Sequence, residues 1–178
     1  MKKIIICGSH YGTTKQYATE LSRRLGIELV EYSKLKSLSE YDTIVYMGAL
    51  YAGGVLGLKE TVKLLPSAIN KKIYIVTVGL ADPKDDVNIS NIRNSIKQQV
   101  PPDVFSEAHF FHLRGGIDYK RINFKHKFMM RLLYNKVKKI PLEEQNAETK
   151  AMIATYNKEV NFVDFDNLNE IIESVQLE

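Results

Sequence analysis

The chain has 178 residues, a formal net charge of +4, one cysteine and no tryptophan. This length suits one domain with a hydrophobic core, which we predict over residues 1–178. The sequence contains no run of about 18 apolar residues, the length that a membrane-spanning helix needs. The three isoleucines behind the N-terminal lysines are too few for a secretory signal. A single cysteine excludes an internal disulfide. We therefore expect a cytoplasmic protein.

Strand-like and helix-like segments alternate along the chain. The apolar run at 3–7 predicts a strand, and the apolar spacing at 14–25 predicts a helix. Further strands are predicted at 27–30, 44–49, 73–79 and 108–113, and further helices at 58–65, 88–100 and 167–175. This alternation is typical of an α/β protein with a parallel sheet and helices on both faces.

The first strand runs directly into a loop rich in hydroxyl groups, and a helix follows at once. The first amides of a helix lack intrahelical partners and lie at the positive end of its dipole. Gly12 allows a ligand to approach the backbone closely. We therefore predict a phosphate site. The alternative is a helix capped by Thr13 or Thr14 without a ligand. The predicted cofactor residues of this loop are Ser9, His10, Tyr11, Gly12, Thr13 and Thr14.

The spacing of Ser9, Gly12 and Thr14 resembles the phosphate loop of flavodoxins, which holds the 5′-phosphate of flavin mononucleotide (FMN). The loop has neither the Gly-Lys-Ser/Thr ending of a Walker A motif nor the glycine spacing of a dinucleotide fingerprint. The resemblance implies FMN as cofactor. It also implies a flavodoxin-like three-layer sandwich with a five-stranded parallel sheet in the order 2-1-3-4-5. Ligands of such sheets bind where the strand order reverses, beyond the carboxyl ends of the strands.

The loops after the third and fourth strands are predicted to meet the phosphate loop at this point. Tyr51 could stack on the flat flavin ring or lie at an exposed loop tip. No aromatic residue occurs between Tyr74 and Phe105, so one ring face is either open or covered by another part of the chain. The predicted cofactor residues of these loops are Ala49, Leu50, Tyr51, Ala52, Gly53, Gly79, Leu80 and Ala81. We predict no metal site and assign no catalytic residue.

A basic segment follows the fifth strand, within an insertion predicted at about 114–140. Residues 120–139 contain eight lysines and arginines and no acidic residue, so the rest of the chain is net acidic. Apolar residues recur among them at helical spacing, which indicates a basic amphipathic helix. Such a helix could lie on an anionic membrane surface, or pack its apolar stripe on the sheet and leave its lysines solvated. Nothing else in the chain supports nucleic-acid binding.

The run Leu113-Arg114-Gly115-Gly116-Ile117-Asp118-Tyr119, with the basic helix after it, resembles the insertion of flavin-dependent, menaquinone-coupled protoporphyrinogen oxidases. Residues 159–165 also resemble that family. The resemblance implies an oxidoreductase of haem biosynthesis that passes electrons through FMN to a quinone, peripheral at the inner face of the membrane. The alternative is a flavodoxin-type electron carrier between protein partners. The basic insertion favours the enzyme, because such carriers usually dock through acidic surfaces.

Overall fold

The computed structural model describes residues 1–51, 53–66, 68 and 70–177. Among these residues the main sheet contains β1 (Lys3–Gly8), β2 (Leu29–Glu31), β3 (Thr43–Tyr51), β4 (Gly54–Val55), β5 (Lys72–Gly79) and β6 (Ala108–Arg114). Five strands run parallel in the spatial order β2-β1-β3-β5-β6, and β4 pairs antiparallel with β3. Numbered along the chain, the five parallel strands have the order 2-1-3-4-5. The predicted flavodoxin-like sheet is confirmed.

Helices cover both faces of this sheet and make three layers. Those on one face are α2 (Leu58–Val62), α3 (Asp86–Lys97) and α4 (Pro102–Glu107), and those on the other are α1 (Thr13–Leu25) and α7 (Asn169–Gln176). Two further helices, α5 (Phe124–Val137) and α6 (Ala147–Thr155), follow β6. Ile4 and Ile6 of β1 pack in a cluster with α2, α3 and α4, whereas Ile5 and Cys7 pack with α1 and α7. Because both sides of the strand are covered, its sequence is apolar throughout rather than alternating. None of the helices within the described ranges is long and apolar enough to cross a membrane.

The second helix is shorter than the sequence predicts. Its predicted range is 58–65, but α2 ends at Val62. The amides of Leu64 and Leu65 bond to carbonyls three residues earlier, at 3.0 and 3.1 Å, which is a tighter turn than that of an α-helix. Pro66 follows, and a proline disfavours helical backbone in the residue before it. The chain therefore leaves the helix one turn early.

The insertion, defined here as residues 116–161, leaves the sheet after β6 and returns beside its starting point. β7 (Gly116–Asp118) and β8 (Glu159–Asn161) pair antiparallel at its base, and α5 and α6 lie between them. The predicted basic helix is α5, and its first turn is capped by Asn123, whose side chain accepts a hydrogen bond from the His126 amide at 2.9 Å. The predicted bounds of about 114–140 stop short of β8, so the insertion is longer than the basic segment within it.

Hydrogen bonds and one cation–π contact fix the base of the insertion to the carboxyl ends of β5 and β6. The Gly115 amide donates to the Gly79 carbonyl at 2.7 Å, and the Phe162 amide donates to the Gly115 carbonyl at 3.0 Å. The Arg114 guanidinium lies 3.7 Å from the centre of the Phe162 ring. Its Nε donates to the Leu80 carbonyl at 3.0 Å. The loop after β5 and the base of the insertion are therefore held together.

Candidate functional site

The predicted phosphate loop has free donors and open space at the start of α1. It turns at Gly12, whose φ of +94° suits glycine. Ser9 Oγ accepts hydrogen bonds from the amides of Gly12 and Lys15 at 3.2 and 3.3 Å. The amides of Thr13 and Thr14 donate to no other residue in the described part of the chain. A Cβ built on Gly12 would meet nothing within 4 Å. This geometry fits an anion.

Neither threonine of this loop caps the helix. Gly12 occupies the N-cap position, and both Thr13 and Thr14 lie inside the first turn of α1. The alternative of a threonine-capped helix is therefore wrong. The Ser9 hydroxyl, which accepts the Lys15 amide, takes over part of that role instead.

Three rings from separate elements meet beside the phosphate loop. The His10 ring lies 4.5 Å from the ring of Tyr51, at the end of β3, and 4.3 Å from the ring of His126, in α5. The Nε2 atoms of the two histidines are 3.1 Å apart, so one must be unprotonated to accept from the other. Burial, and then the neighbouring His126, lower the pKa of His10, which favours its neutral form. The insertion therefore contacts the phosphate loop directly.

A cavity of about 560 Å³ lies between the carboxyl-end loops and the insertion. The loop side is lined by the predicted cofactor residues Tyr11, Leu50, Tyr51, Gly53, Leu80 and Ala81. The insertion side is mostly apolar, and its lining consists of Ile117, Met129, Met130, Leu132, Leu133 and Met152 together with the charged Lys136 and Glu148. Polar residues of α3, namely Asn88, Asn91 and Ser95, also line the cavity. The size and lining are those of a ligand pocket. The insertion thus supplies the cover that the aromatic-free loop after β5 does not.

The remaining predicted residues lie in or beside strand ends. Ala49 is buried in β3, and Gly79 is the last residue of β5. A Cβ on Gly79 would lie 2.7 Å from Leu50 Cδ1, so glycine allows these two loops to pack closely. Gly53 has a φ of +79° and turns the chain from β3 into β4. Ala52 lies outside the described residues.

A buried hydroxyl at the cavity wall lacks a partner. Tyr11 Oη is buried and makes no hydrogen bond with any residue that the structure describes. Burial, and then the neighbouring Tyr51, raise the pKa of Tyr11, so the phenol is protonated at neutral pH and can donate. An unmade hydrogen bond at a buried group costs about 1–3 kcal/mol. Because Tyr11 Oη has almost no exposed surface, Tyr11 lines the cavity through its other atoms. The free amides and the mostly apolar cavity fit a molecule with a phosphate and a flat, mostly apolar ring.

Sequence reasoning missed the residues that the insertion contributes. The ring of His126 contacts His10, and the cavity is lined by Met130 and Met152. The sequence interpretation of this segment rested on its charges and assigned these three residues no role. One signal was available. His126, Met130 and Val137 are spaced four and seven apart, which places them on one side of a helix. Nothing in the sequence indicated that this side faces the loops rather than the sheet.

Comparisons with known proteins agree with this geometry at the level of the family. The family model of the flavodoxin domain matches residues 4–142. A search of the curated proteins gave no match. The chain is similar to a flavodoxin variant from Pseudomonas aeruginosa, at 19% identity over 76% of this chain and 96% of that one, with a TM-score of 0.42.

Two further solved structures are similar at the same low level. Flavodoxin 1 from Bacillus cereus is 16% identical over 64% of this chain and 84% of its own, with a TM-score of 0.43. A flavoprotein from Lactobacillus acidophilus, in complex with FMN, is 11% identical over 64% of this chain and 91% of its own, with a TM-score of 0.41. The family assignment depends on the family model and not on these structures.

Proposed function

Because the chain belongs to the flavodoxin-domain family, we propose that it is an FMN-dependent oxidoreductase whose insertion forms one wall of the site where the flavin meets its electron partner. Family membership supports FMN as the cofactor. FMN supplies hydride and electron-transfer chemistry when bound. The single observation that carries the proposal is the cavity shared by the carboxyl-end loops and the insertion.

The loop after β1 binds the phosphate in this proposal. The amides of Thr13 and Thr14 and the hydroxyls of the loop surround one anion, and the N-terminal dipole of α1 adds to the attraction. Charge-assisted hydrogen bonds of this kind contribute about 1.5–3 kcal/mol each. His10 belongs to this loop, and its ring contacts hold the loop against Tyr51 and His126.

The cavity receives the ring system in this proposal. Tyr51 contacts the ring, and Leu50 and Leu80 pack against its edges. Tyr11 lines the cavity beside the ring, while its buried hydroxyl points away from the ligand space. The methionines of the insertion exclude water from the opposite side, and their flexible side chains adapt to irregular ligands.

The apolar wall favours a small apolar electron partner over a docking protein. α5 and α6 both line the cavity, and in this proposal they cover the side from which a protein partner would otherwise reach the ring. A quinone is therefore the proposed electron acceptor. Protoporphyrinogen IX is the proposed reductant, on the resemblance of residues 113–119 and the helix after them to the menaquinone-coupled oxidases. The comparisons support the flavodoxin domain and do not extend to this substrate.

The first test is a calorimetric titration of the apo-protein with FMN and with riboflavin. We expect FMN to bind more tightly, because only FMN carries the phosphate. Equal affinity for the two flavins would contradict the proposed role of the loop after β1.

The second test separates the enzyme from an electron carrier. The holoprotein is mixed anaerobically with protoporphyrinogen IX and a water-soluble quinone, and porphyrin fluorescence is followed. Met130→Gln places a polar group on the cavity wall and should lower kcat/KM, whereas Phe128→Gln, on the outer side of the same helix, should not. Turnover that is absent here but present with protein electron donors and acceptors would assign the chain as a carrier.

A further inference from the structure

The outer side of α5 exposes a stripe of large apolar side chains. The exposed fractions are 84% for Phe124, 58% for Phe128 and 57% for Leu132. These residues are four apart, so they follow one another along a single face of the helix. One of the two sequence-based alternatives required α5 to pack its phenylalanines on the sheet. That alternative is therefore wrong. Contiguous exposed apolar patches of this kind mark interaction sites.

Cations border this stripe on both sides. At 100° per residue, Lys125 and Lys136 lie along one border of the stripe, and Lys127 and Arg131 lie along the other. All four side chains are exposed, and Lys136 also lines the cavity. Within residues 120–139, the ion pair that the structure describes joins Lys120 to Glu159 at 3.8 Å. The four flanking cations have no acidic partner among the described residues, so their charge is available to an external anionic surface.

The apolar stripe continues into the cavity. Met129 and Leu133 are 38% and 43% exposed, and both also line the cavity. Leu132 belongs to the outer stripe and to the cavity lining alike. A continuous apolar surface therefore leads from the outer face of α5 to the inside of the site.

We propose that the outer stripe of α5 docks on an anionic lipid bilayer, with the cavity mouth beside Met129 and Leu133 facing that bilayer, so that an electron partner dissolved in lipid can enter. An interfacial helix buries its apolar stripe at the headgroup boundary. Its flanking lysines and arginines extend to the lipid phosphates. The docking of α5 on the bilayer does not depend on bound flavin. The entry of an electron partner from the bilayer rests on the proposed function.

The shape of the stripe favours a bilayer over an acidic protein. Phe124, Phe128 and Leu132 project from a single helix as a convex ridge. A protein partner would need a groove shaped for that ridge, because stable protein interfaces depend on shape complementarity. A fluid lipid surface accepts the ridge without one.

The test is co-sedimentation of the purified holoprotein with vesicles of phosphatidylcholine alone or mixed with phosphatidylglycerol. We expect binding to the anionic vesicles to be at least about tenfold tighter than to neutral ones at low salt, and to weaken as salt rises. Equal binding to the two lipids, or no binding to either, would overturn the proposal. Capture of an acidic protein without vesicle binding would overturn it as well.

Two variants of α5 and one control show whether vesicle binding occurs through the outer face of this helix. Phe124→Ser with Phe128→Ser should reduce vesicle affinity at least about tenfold, and Lys125→Gln, Lys127→Gln and Arg131→Gln together should reduce it about 100-fold on anionic vesicles. The matched control changes three exposed lysines on other elements, Lys36→Gln, Lys59→Gln and Lys63→Gln, and should retain most of the binding. An equal loss in the control would contradict the proposal.

FMN titration of the same variants separates the two proposals. We expect their FMN affinity to match that of the wild type, because the altered residues lie outside the loops and the cavity. Normal vesicle binding by a protein that binds no FMN would support the docking surface and contradict the proposed function. Normal FMN binding without vesicle binding would contradict the docking surface and leave the proposed function intact.

Discussion

The sheet and the insertion form opposite walls of one cavity, but they are held in place very differently. The loops on the sheet side extend from strands such as β1, in which Ile4, Ile5 and Ile6 are fully buried. The insertion has a small cluster of its own, around Ile117 and Tyr119. Local stability follows buried apolar area. The loop side of the cavity is therefore the more rigid wall, whereas the insertion is the wall that can open more easily.

The insertion contacts the sheet-side loops at a small number of places. Tyr11 and Leu80 pack against the cluster around Ile117 and Tyr119, and the His10–His126 contact joins α5 to the phosphate loop. The base is fixed through Gly115. A wall that is held by separable contacts can admit a ligand without disturbing the sheet.

The largest effect is expected when a buried isoleucine is shortened to alanine, and the same change is compared in the central core and in the insertion. Ile75→Ala in β5 should lower the free energy of unfolding by about 2–5 kcal/mol, because it leaves a cavity in the central core. Ile117→Ala should instead increase amide exchange mainly within residues 116–161. Hydrogen exchange by mass spectrometry measures both. Equal loss of protection along the whole chain in the two variants would show that the insertion is not a separate unit of stability.

The next effect concerns the rigid wall. Thr14→Val should weaken FMN binding by about 1.5–3 kcal/mol, because the phosphate loses a charge-assisted hydrogen bond. Thr19→Val makes the same change on the exposed side of α1 and should leave the affinity unchanged. Calorimetric titration of the apo-proteins gives both values. If the two variants bind equally well, Thr14 is not a phosphate ligand.

A smaller effect is expected where the two walls meet. Tyr51→Ala should weaken FMN binding by about 1 kcal/mol and shift the flavin absorption bands, because an aromatic contact with the ring is lost. Phe165→Ala removes a partly exposed aromatic ring that packs on Tyr17 instead, and serves as control. An unchanged spectrum and affinity in the Tyr51 variant would leave this side chain outside the site.

The smallest effect is a loosening of the insertion in acid. Because burial and His126 lower the pKa of His10, the open insertion takes up a proton more readily than the closed one. Opening should therefore increase as the pH falls below about 6.5 and level off below the lowered pKa of His10. Amide exchange in 124–137, corrected for its intrinsic pH dependence, measures this.

Two controls isolate that pH effect. His10→Phe should flatten it, while the same change at the exposed His109 should not. Burial, and then the nearby Arg93, lower the pKa of His112 to about 4, so acid also weakens the whole protein. Parallel changes in the exchange of β1 and α5 at every pH would assign the loosening to His112 and not to His10.

The sequence predicted the sheet because each parallel strand is a short apolar run bounded by a turn, as at Ile4 to Ile6. It also predicted which loops meet, because the strand order fixes that. It did not predict which way α5 faces. Phe128 and Met130 are equally apolar in the sequence, and only packing decides that one points outward and the other inward. The β7–β8 pair was missed because each of its strands has a single apolar residue, Ile117 or Val160, and so forms no apolar run.

We propose that FMN lies between the two walls and contacts both. Hydrogen exchange of the apo-protein, with and without FMN, tests it most directly. We expect FMN to slow exchange in the loops at 9–14 and 79–82 and, in the same sample, in α5 at 124–137. Protection confined to 9–14, with α5 exchanging as fast as in the apo-protein, would contradict it.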